Sequence, residues 1–207
     1  WQWGSVSWTS MEDAFWGCSN LDIIANSIPN LSSATNLSQL FKNCTSFNGP
    51  DNIGDWNTAT ISNMNRLFEN ASAFKQTIGA WNLASVASMT GMLDNSGMSC
   101  GAYSSTLIGW NNNPATPNSR TLGASGLTYN STASTARNNL TSTKSWTISD
   151  AGAGANCDNF VTQWTFASIG TTITFNALTA GGAVNYTWSC SPSGNSGSGT
   201  FTQATEG

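Results

Sequence analysis

Apolar positions in the first half of the chain recur in a fixed ten-residue frame. Four segments align: Thr9-Ser-Met-Glu-Asp-Ala-Phe-Trp-Gly-Cys18, Thr35-Asn-Leu-Ser-Gln-Leu-Phe-Lys-Asn-Cys44, Ser62-Asn-Met-Asn-Arg-Leu-Phe-Glu-Asn-Ala71 and Ala87-Ser-Met-Thr-Gly-Met-Leu-Asp-Asn-Ser96. Their anchors Phe15, Phe41, Phe68 and Leu93 are spaced by 26, 27 and 25 residues. That period is too short for a domain and suits one coil of a solenoid, which buries its apolar face only by stacking on its neighbours. Apolar residues at i, i+3 and i+4 of each block predict a short helical turn. The extended stretches Leu21 to Ile24, Phe47 to Ile53, Phe74 to Ile78 and Ser105 to Ile108 are expected to stack as parallel strands. Three coils close on Ile53-Gly-Asp-Trp56-Asn57, Ile78-Gly-Ala-Trp81-Asn82 and Ile108-Gly-Trp110-Asn111, predicting a ladder of Trp56, Trp81 and Trp110. The glycine is expected to make the turn and the asparagine to take left-handed geometry. The first coil ends differently, on Ile28-Pro-Asn-Leu31.

The pattern then changes twice. Residues 1–113 read as about four coils, and residues 114–150 as a loop and C-terminal cap, with a helix over 131–140 and a strand over 145–149. Ser131 or Thr132 is the expected N-cap of that helix. Residues 151–156, Ala-Gly-Ala-Gly-Ala followed by Asn, are expected to be a flexible hinge. Residues 157–207 alternate apolar and polar positions, predicting antiparallel strands at Phe160 to Phe166, Thr171 to Phe175, Val184 to Cys190 and Thr200 to Gln203. The Ser/Gly-rich run Ser191 to Gly199 reads as a linker, and the four strands as a small all-β module, Ig-like or a partial sandwich. Trp1 to Val6 reads as a strand already in progress, so further chain is expected before Trp1 and after Gly207.

Composition narrows the function classes. Charged residues are 8% of the chain, against ~25% in ordinary globular proteins. With 6 Lys+Arg against 10 Asp+Glu, little would neutralise a phosphate backbone, which disfavours nucleic acid as a partner. No run is long and apolar enough to suggest membrane insertion. A neutral surface of amides and hydroxyls suits an exported, extracellular or cell-surface protein and offers little repulsion between copies. There is no His, which removes His-dependent nucleophile systems and the commonest zinc ligand. Glu12 and Asp13 adjoin but do not face one another on a helix. Asp51 with Asp55, or Asp150 with Asp158, are conceivable calcium chelators without a recognised loop pattern, and solvated acids are the simpler reading. No cofactor, metal or catalytic group is expected.

The five cysteines leave at least one unpaired. Cys18 and Cys44 occupy equivalent positions in adjacent coils. They are either small buried thiols or a staple between coils about 5 Å apart. Cys157 with Cys190 is the best remaining bridge, leaving Cys100 over. Asn-x-Ser/Thr triplets such as Asn30-Leu-Ser and Asn70-Ala-Ser are ordinary in a chain of this composition.

The Met-x-x-Met-Phe-x-x-Ala/Cys-x-x-Phe rhythm closing on Ile-Gly-x-Trp-Asn resembles the BspA-like leucine-rich repeats of bacterial surface proteins, in the variant with a 26-residue surface-protein repeat. The resemblance spans roughly residues 9–113 and extends through Leu122-Gly-Ala-Ser-Gly-Leu-Thr-Tyr129 to Trp146-Thr-Ile148. Phe160-Val-Thr-Gln-Trp164 and Asn185-Tyr-Thr-Trp188 look like the β module that alternates with such repeats. The resemblance implies an α/β solenoid, right-handed, with parallel strands and short helical turns, on an exported adhesive protein without catalytic residues. The resulting expectation is a non-enzymatic building block of a bacterial surface protein or extracellular filament. Its partners would be other copies of itself and, beyond those, a host or prey surface protein or glycan. The alternative is a carbohydrate-binding module whose aromatic side chains stack on sugars. A polysaccharide-degrading enzyme using Glu12, Asp13 or Asp55 is disfavoured by the scattered acids.

Overall fold

The computed structural model describes residues 2–23, 25, 27–154 and 157, and the backbone of four strands after them. The chain divides into two compact units, Trp1–Gly154 and Ala155–Gly207.

In the first unit the ten-residue blocks lie in register. Isolated parallel bridges join Ser10 to Asn36, Asn36 to Asn63 and Asn63 to Ser88, and Met89 to Leu122. The next rung is a parallel pair, β1 (Thr121–Ala124) with β2 (Thr147–Asp150). These blocks are not helical turns. Their N–H groups alternate between two kinds of acceptor. Leu37, Gln39, Phe41 and Asn43 donate to Asn63, Asn65, Leu67 and Glu69 of the following block at 2.8–3.0 Å. Between them, Leu40, Lys42 and Cys44 donate three residues back to Leu37, Gln39 and Phe41 at 3.1–3.2 Å. The first and third blocks repeat the scheme, and the fourth does so in part, Leu93 and Asn95 donating to Gly123 and Ser125. Each is therefore a chain of β-turns.

Two positions in every block need left-handed backbone: Asp13, Gln39, Arg66 and Gly91 at the fifth, Gly17, Asn43, Asn70 and Asn95 at the ninth. An α-helix admits no such residue in its interior, which is why an i, i+3, i+4 apolar pattern gives linked turns here. Gly and Asn hold the ninth position throughout because they tolerate this region best. The expected strands Leu21 to Ile24, Phe47 to Ile53 and Phe74 to Ile78 are absent among the described residues; a 3-10 turn at Ile53–Asp55 follows Pro50 instead.

Register turns the blocks into side-chain ladders. Phe15, Phe41 and Phe68 stack nearly parallel, with centroids 5.7 and 5.6 Å apart. Phe47 and Phe74 form a second column 6.2 Å apart, lying 4.1 and 3.9 Å from Phe41 and Phe68. Leu93 caps the first column, fully buried.

The expected strand at Ser105 to Ile108 lies inside helix α1 (Cys100–Asn112). Ser99 caps it, its Oγ accepting from Ala102 N–H at 3.2 Å. Tyr103, Leu107 and Trp110 are buried at helical spacing. The expected 131–140 helix is a composite: a 3-10 turn at Ser131–Ala133, α2 (Ser134–Asn138) and a π turn at Asn139–Thr143. Its cap is Asn130, not Ser131 or Thr132; Asn130 Oδ1 accepts from Ala133 N–H at 3.3 Å. The strand after it runs Thr147–Asp150, a little later than 145–149.

The segment expected to be a hinge begins as one more rung. Ala151 N–H donates to Leu127 O, Tyr129 N–H to Gly152 O, and Gly154 N–H to Tyr129 O, at 2.8–3.1 Å. In the second unit, β3 (Phe160–Phe166) pairs antiparallel with β4 (Thr171–Ala177), and β5 (Ala183–Ser189) with β6 (Ser196–Thr202). The last strand takes in Ser196 to Gly199, which the sequence reading gave to a linker.

Removing a central stacked ring leaves a cavity bounded on both sides, whereas the end ring is already half-exposed. Phe68→Ala is expected to cost about 3–5 kcal/mol and Phe15→Ala clearly less, measured by chemical denaturation of the two variants.

Candidate functional site

The tryptophan ladder faces inward. Trp56, Trp81 and Trp110 are all buried. Trp81 Nε1 donates to Ile53 O at 2.8 Å and Trp110 Nε1 to Ile78 O at 3.0 Å, so each indole reaches back to the previous Ile-Gly. The intervening glycine serves close approach: a Cβ on Gly79 would sit 2.7 Å from Ser105 O, and one on Gly109 2.5 Å from Gly79 O. The asparagines after Trp56 and Trp81 do not take left-handed backbone. Asn57 and Asn82 instead accept on Oδ1 from the N–H of Ala59 and Ala84, at 3.2 and 2.9 Å. None of the three indoles is placed to stack on a sugar.

What the blocks present outward is a polar face. Asn70 Nδ2 donates to Asn43 Oδ1 at 2.9 Å, and Asn95 Nδ2 to Asn70 Oδ1 at 3.2 Å, an amide ladder along the ninth positions. Glu12 and Asp13 accept from Ser38 Oγ (2.9 Å) and Gln39 Nε2 (2.8 Å) of the next block. Lys42 lies 3.3 Å from Glu69 and 5.5 Å from the centre of the exposed Trp16 ring. Arg66 approaches the same Glu69 at 3.5 Å. Glu12, Asp13 and Asp55 are thus not brought together as an acid pair, the first two being tied to rungs. Asp51 and Asp55 are exposed. Among the described residues no group of three or more His, Cys, Asp or Glu is placed to hold a metal ion.

A buried charge cluster fastens the cap. Asp150, its side chain 1% exposed, receives Arg137 Nε at 2.9 Å, Arg137 Nη2 at 2.8 Å and Tyr103 Oη at 3.0 Å. Arg137 also stacks over the Tyr129 ring. The carboxylate considered for calcium with Asp158 is therefore fully engaged by the protein; Asp158 lies outside the described residues. Arg137 falls in a segment that reads only as a capped helix, so the fork-to-carboxylate pair was missed. Burial pushes the Tyr103 phenol up, and the neighbouring Asp150 pushes it further.

Of the cysteines, Cys18 is a free, exposed thiol and Cys44 a free, buried one. Cys100 and Cys157 are both disulfide-bonded, so Cys100 is not the leftover thiol. Cys190 lies outside the described residues. Burial pushes the Cys44 thiol up to about 11, helped by the neighbouring Cys18.

Among the described residues no helix is long and apolar enough to cross a membrane. The model of a family described as Mycoplasma protein of unknown function, DUF285, matches residues 2–124, and the chain belongs to that family. The match stops at the end of β1, before the cap. No curated protein matches the chain, and no solved structure does.

Arg137→Ala strands a buried carboxylate and is expected to cost about 3 kcal/mol or more. Tyr103→Phe removes one charge-assisted bond, about 1.5–3 kcal/mol; urea denaturation of both variants checks the order. A second expectation concerns pH. Cys44 and Tyr103 hold their protons more tightly folded than unfolded, so their contribution is complete below the ordinary values of 9.0 and 10.0. It drains as pH rises past them. The denaturation midpoint should stay level to about pH 9 and then fall, and Cys44→Ala should remove the earlier part of the fall.

Proposed function

We propose that this chain is a non-enzymatic structural and adhesive block of an exported bacterial protein, acting at the cell surface or in an extracellular filament. The observation that carries the reading is the repeating outward face. Neutral amides recur at Asn43, Asn70 and Asn95, with Lys42, Glu69 and Arg66 pairing their charges beside them, on a stack whose interior is spent on ring and indole ladders. A face repeated at fixed spacing multiplies weak contacts to a repetitive partner. The most direct such partner is another copy, since little net charge opposes association.

The parallel bridges, spaced by one repeat, support reading residues 1–113 as a right-handed α/β solenoid of BspA-like, leucine-rich-repeat type, with 114–150 as its cap. In this reading the rungs of each coil are linked turns in place of full strands. Residues 160–202 supply a small all-β companion whose strand edges serve as further contact points. Host or prey surface proteins or glycans are the additional partners of an adhesive face. The carbohydrate-module alternative loses its strongest support, because the indoles meant to stack on sugars are buried.

Negative-stain electron microscopy of the purified chain at high concentration, and of cells displaying the intact protein, tests this reading. Ordered fibres or rings are expected. Single rods under both conditions would remove the assembly role.

A further inference from the structure

We infer that Cys18 and Cys44 are a redox pair, closing under oxidant into a disulfide that staples the first block to the second. The proposal goes beyond the surface role and stands independently of it.

The two residues occupy the same position one repeat apart, on blocks held in register by the Ser10–Asn36 bridge. Gly17 N–H donates to Lys42 O at 2.8 Å, fixing the backbones beside both thiols. Cys44 Sγ–H and Cys18 N–H donate to one and the same acceptor, Phe15 O, at 2.9 and 3.0 Å. The buried sulfur therefore reaches across the gap between blocks to the turn that carries Cys18. Neighbouring rungs lie about 4.8 Å apart, inside the Cα separation a disulfide accepts. Ala71 fills the equivalent slot in the third block, so packing there needs only a small residue and does not itself call for sulfur. Disulfides at Cys100 and Cys157 place this chain in an oxidising setting, where two adjacent thiols do not persist indefinitely.

Exposure decides the order of events. Solvent reaches Cys18 and not Cys44. A two-electron oxidant such as hydrogen peroxide converts the Cys18 thiol to a sulfenic acid, one peroxide O–O bond breaking and one water leaving. The Cys44 sulfur then attacks the Cys18 sulfur. The S–S bond forms, the S–O bond breaks, and the departing hydroxide takes the Cys44 proton as a second water. Burial keeps the Cys44 thiol protonated to about pH 11, so this closing step is slow at neutral pH. It should quicken roughly tenfold per pH unit between pH 7 and 9 as the thiolate fraction grows.

The staple acts where the stack is held least. The first block donates to the second, but among the described residues no preceding block donates to its carbonyls as it donates to those of the second, and its Phe15 is only half-buried. Closing a loop one repeat long is expected to raise the melting temperature by about 5–10 °C.

The test is stoichiometric peroxide treatment of the purified chain, followed by non-reducing peptide mapping and thermal melting. A peptide pair linking Cys18 to Cys44, a monomeric protein and a raised melting temperature are expected. In Cys44→Ala, which imitates the third block, the same treatment should leave a Cys18 sulfenic acid that dimedone traps, and no rise in melting temperature. Cys44 still fully alkylated by maleimide after oxidation and denaturation would overturn the proposal. So would Cys18 recovered only in a bond between two chains or as a sulfinic acid.

Discussion

Every other feature of the first unit depends on how the repeated blocks dispose of their backbone N–H groups. Buried N–H groups without an acceptor cost about 1–3 kcal/mol each, and a block has too few residues to satisfy them in a helix of its own. The chain alternates instead, one N–H to the next block and the following one to its own turn. That alternation forces left-handed backbone at two positions in each block. Gly17, Gly91 and the asparagines at 43, 70 and 95 follow from the hydrogen bonds. Arg66 and Gln39 accept a conformational cost of about 1–2 kcal/mol for the same reason.

Once the register is set, identical positions stack, and each column acquires the chemistry of one residue type. Phenylalanine columns give offset-stacked rings, and asparagine columns give an amide chain. The indole columns use a third principle, each N–H reaching back to the carbonyl of the preceding Ile-Gly turn. The first repeat shows what happens where the rule is broken. It carries Ile28-Pro-Asn in place of Ile-Gly-x-Trp, and the Trp56 indole N–H above it is buried without a hydrogen-bond partner. Trp3 packs edge-on against that ring, 5.7 Å between centroids, and its own indole N–H is likewise buried without a partner.

The period, the anchors and the alignment of the indoles were legible because each rests on residue type recurring at fixed spacing. The form of the rung was not. Apolar residues at i, i+3 and i+4 fit a helical turn and a pair of linked β-turns equally well, and only Gly or Asn at the ninth position distinguishes them. Helix α1 was hidden because Thr106, Leu107 and Ile108 read as strand formers, while the Ser99 cap and the Tyr103–Leu107–Trp110 spacing point to a helix. The Arg137–Asp150–Tyr103 cluster joins residues 13 and 47 positions apart in a part of the chain that does not repeat. Pairwise chemistry of that kind leaves no periodic trace.

The scarcity of charge, which at first reads as a statement about the environment, is also a condition for stacking. In-register rungs bring equivalent side chains to about 5 Å. Two like charges there repel by about 1 kcal/mol in water and about 3 kcal/mol at a protein surface. A repeated lysine or glutamate column would pay that at every rung, whereas an asparagine column gains a hydrogen bond at each. Several of the charges that remain obey the constraint: Glu12 faces Ser38, Asp13 faces Gln39, and Glu69 lies between Lys42 and Arg66. The exception is Glu69 with Asp94, which hold the same position in adjacent blocks; Asp94 accepts from Ser125 N–H. A surface selected to stack within one chain is for the same reason a surface that repels little when another repetitive surface approaches. The physical chemistry that builds the stack thereby limits what its exterior can be: low in charge and regular.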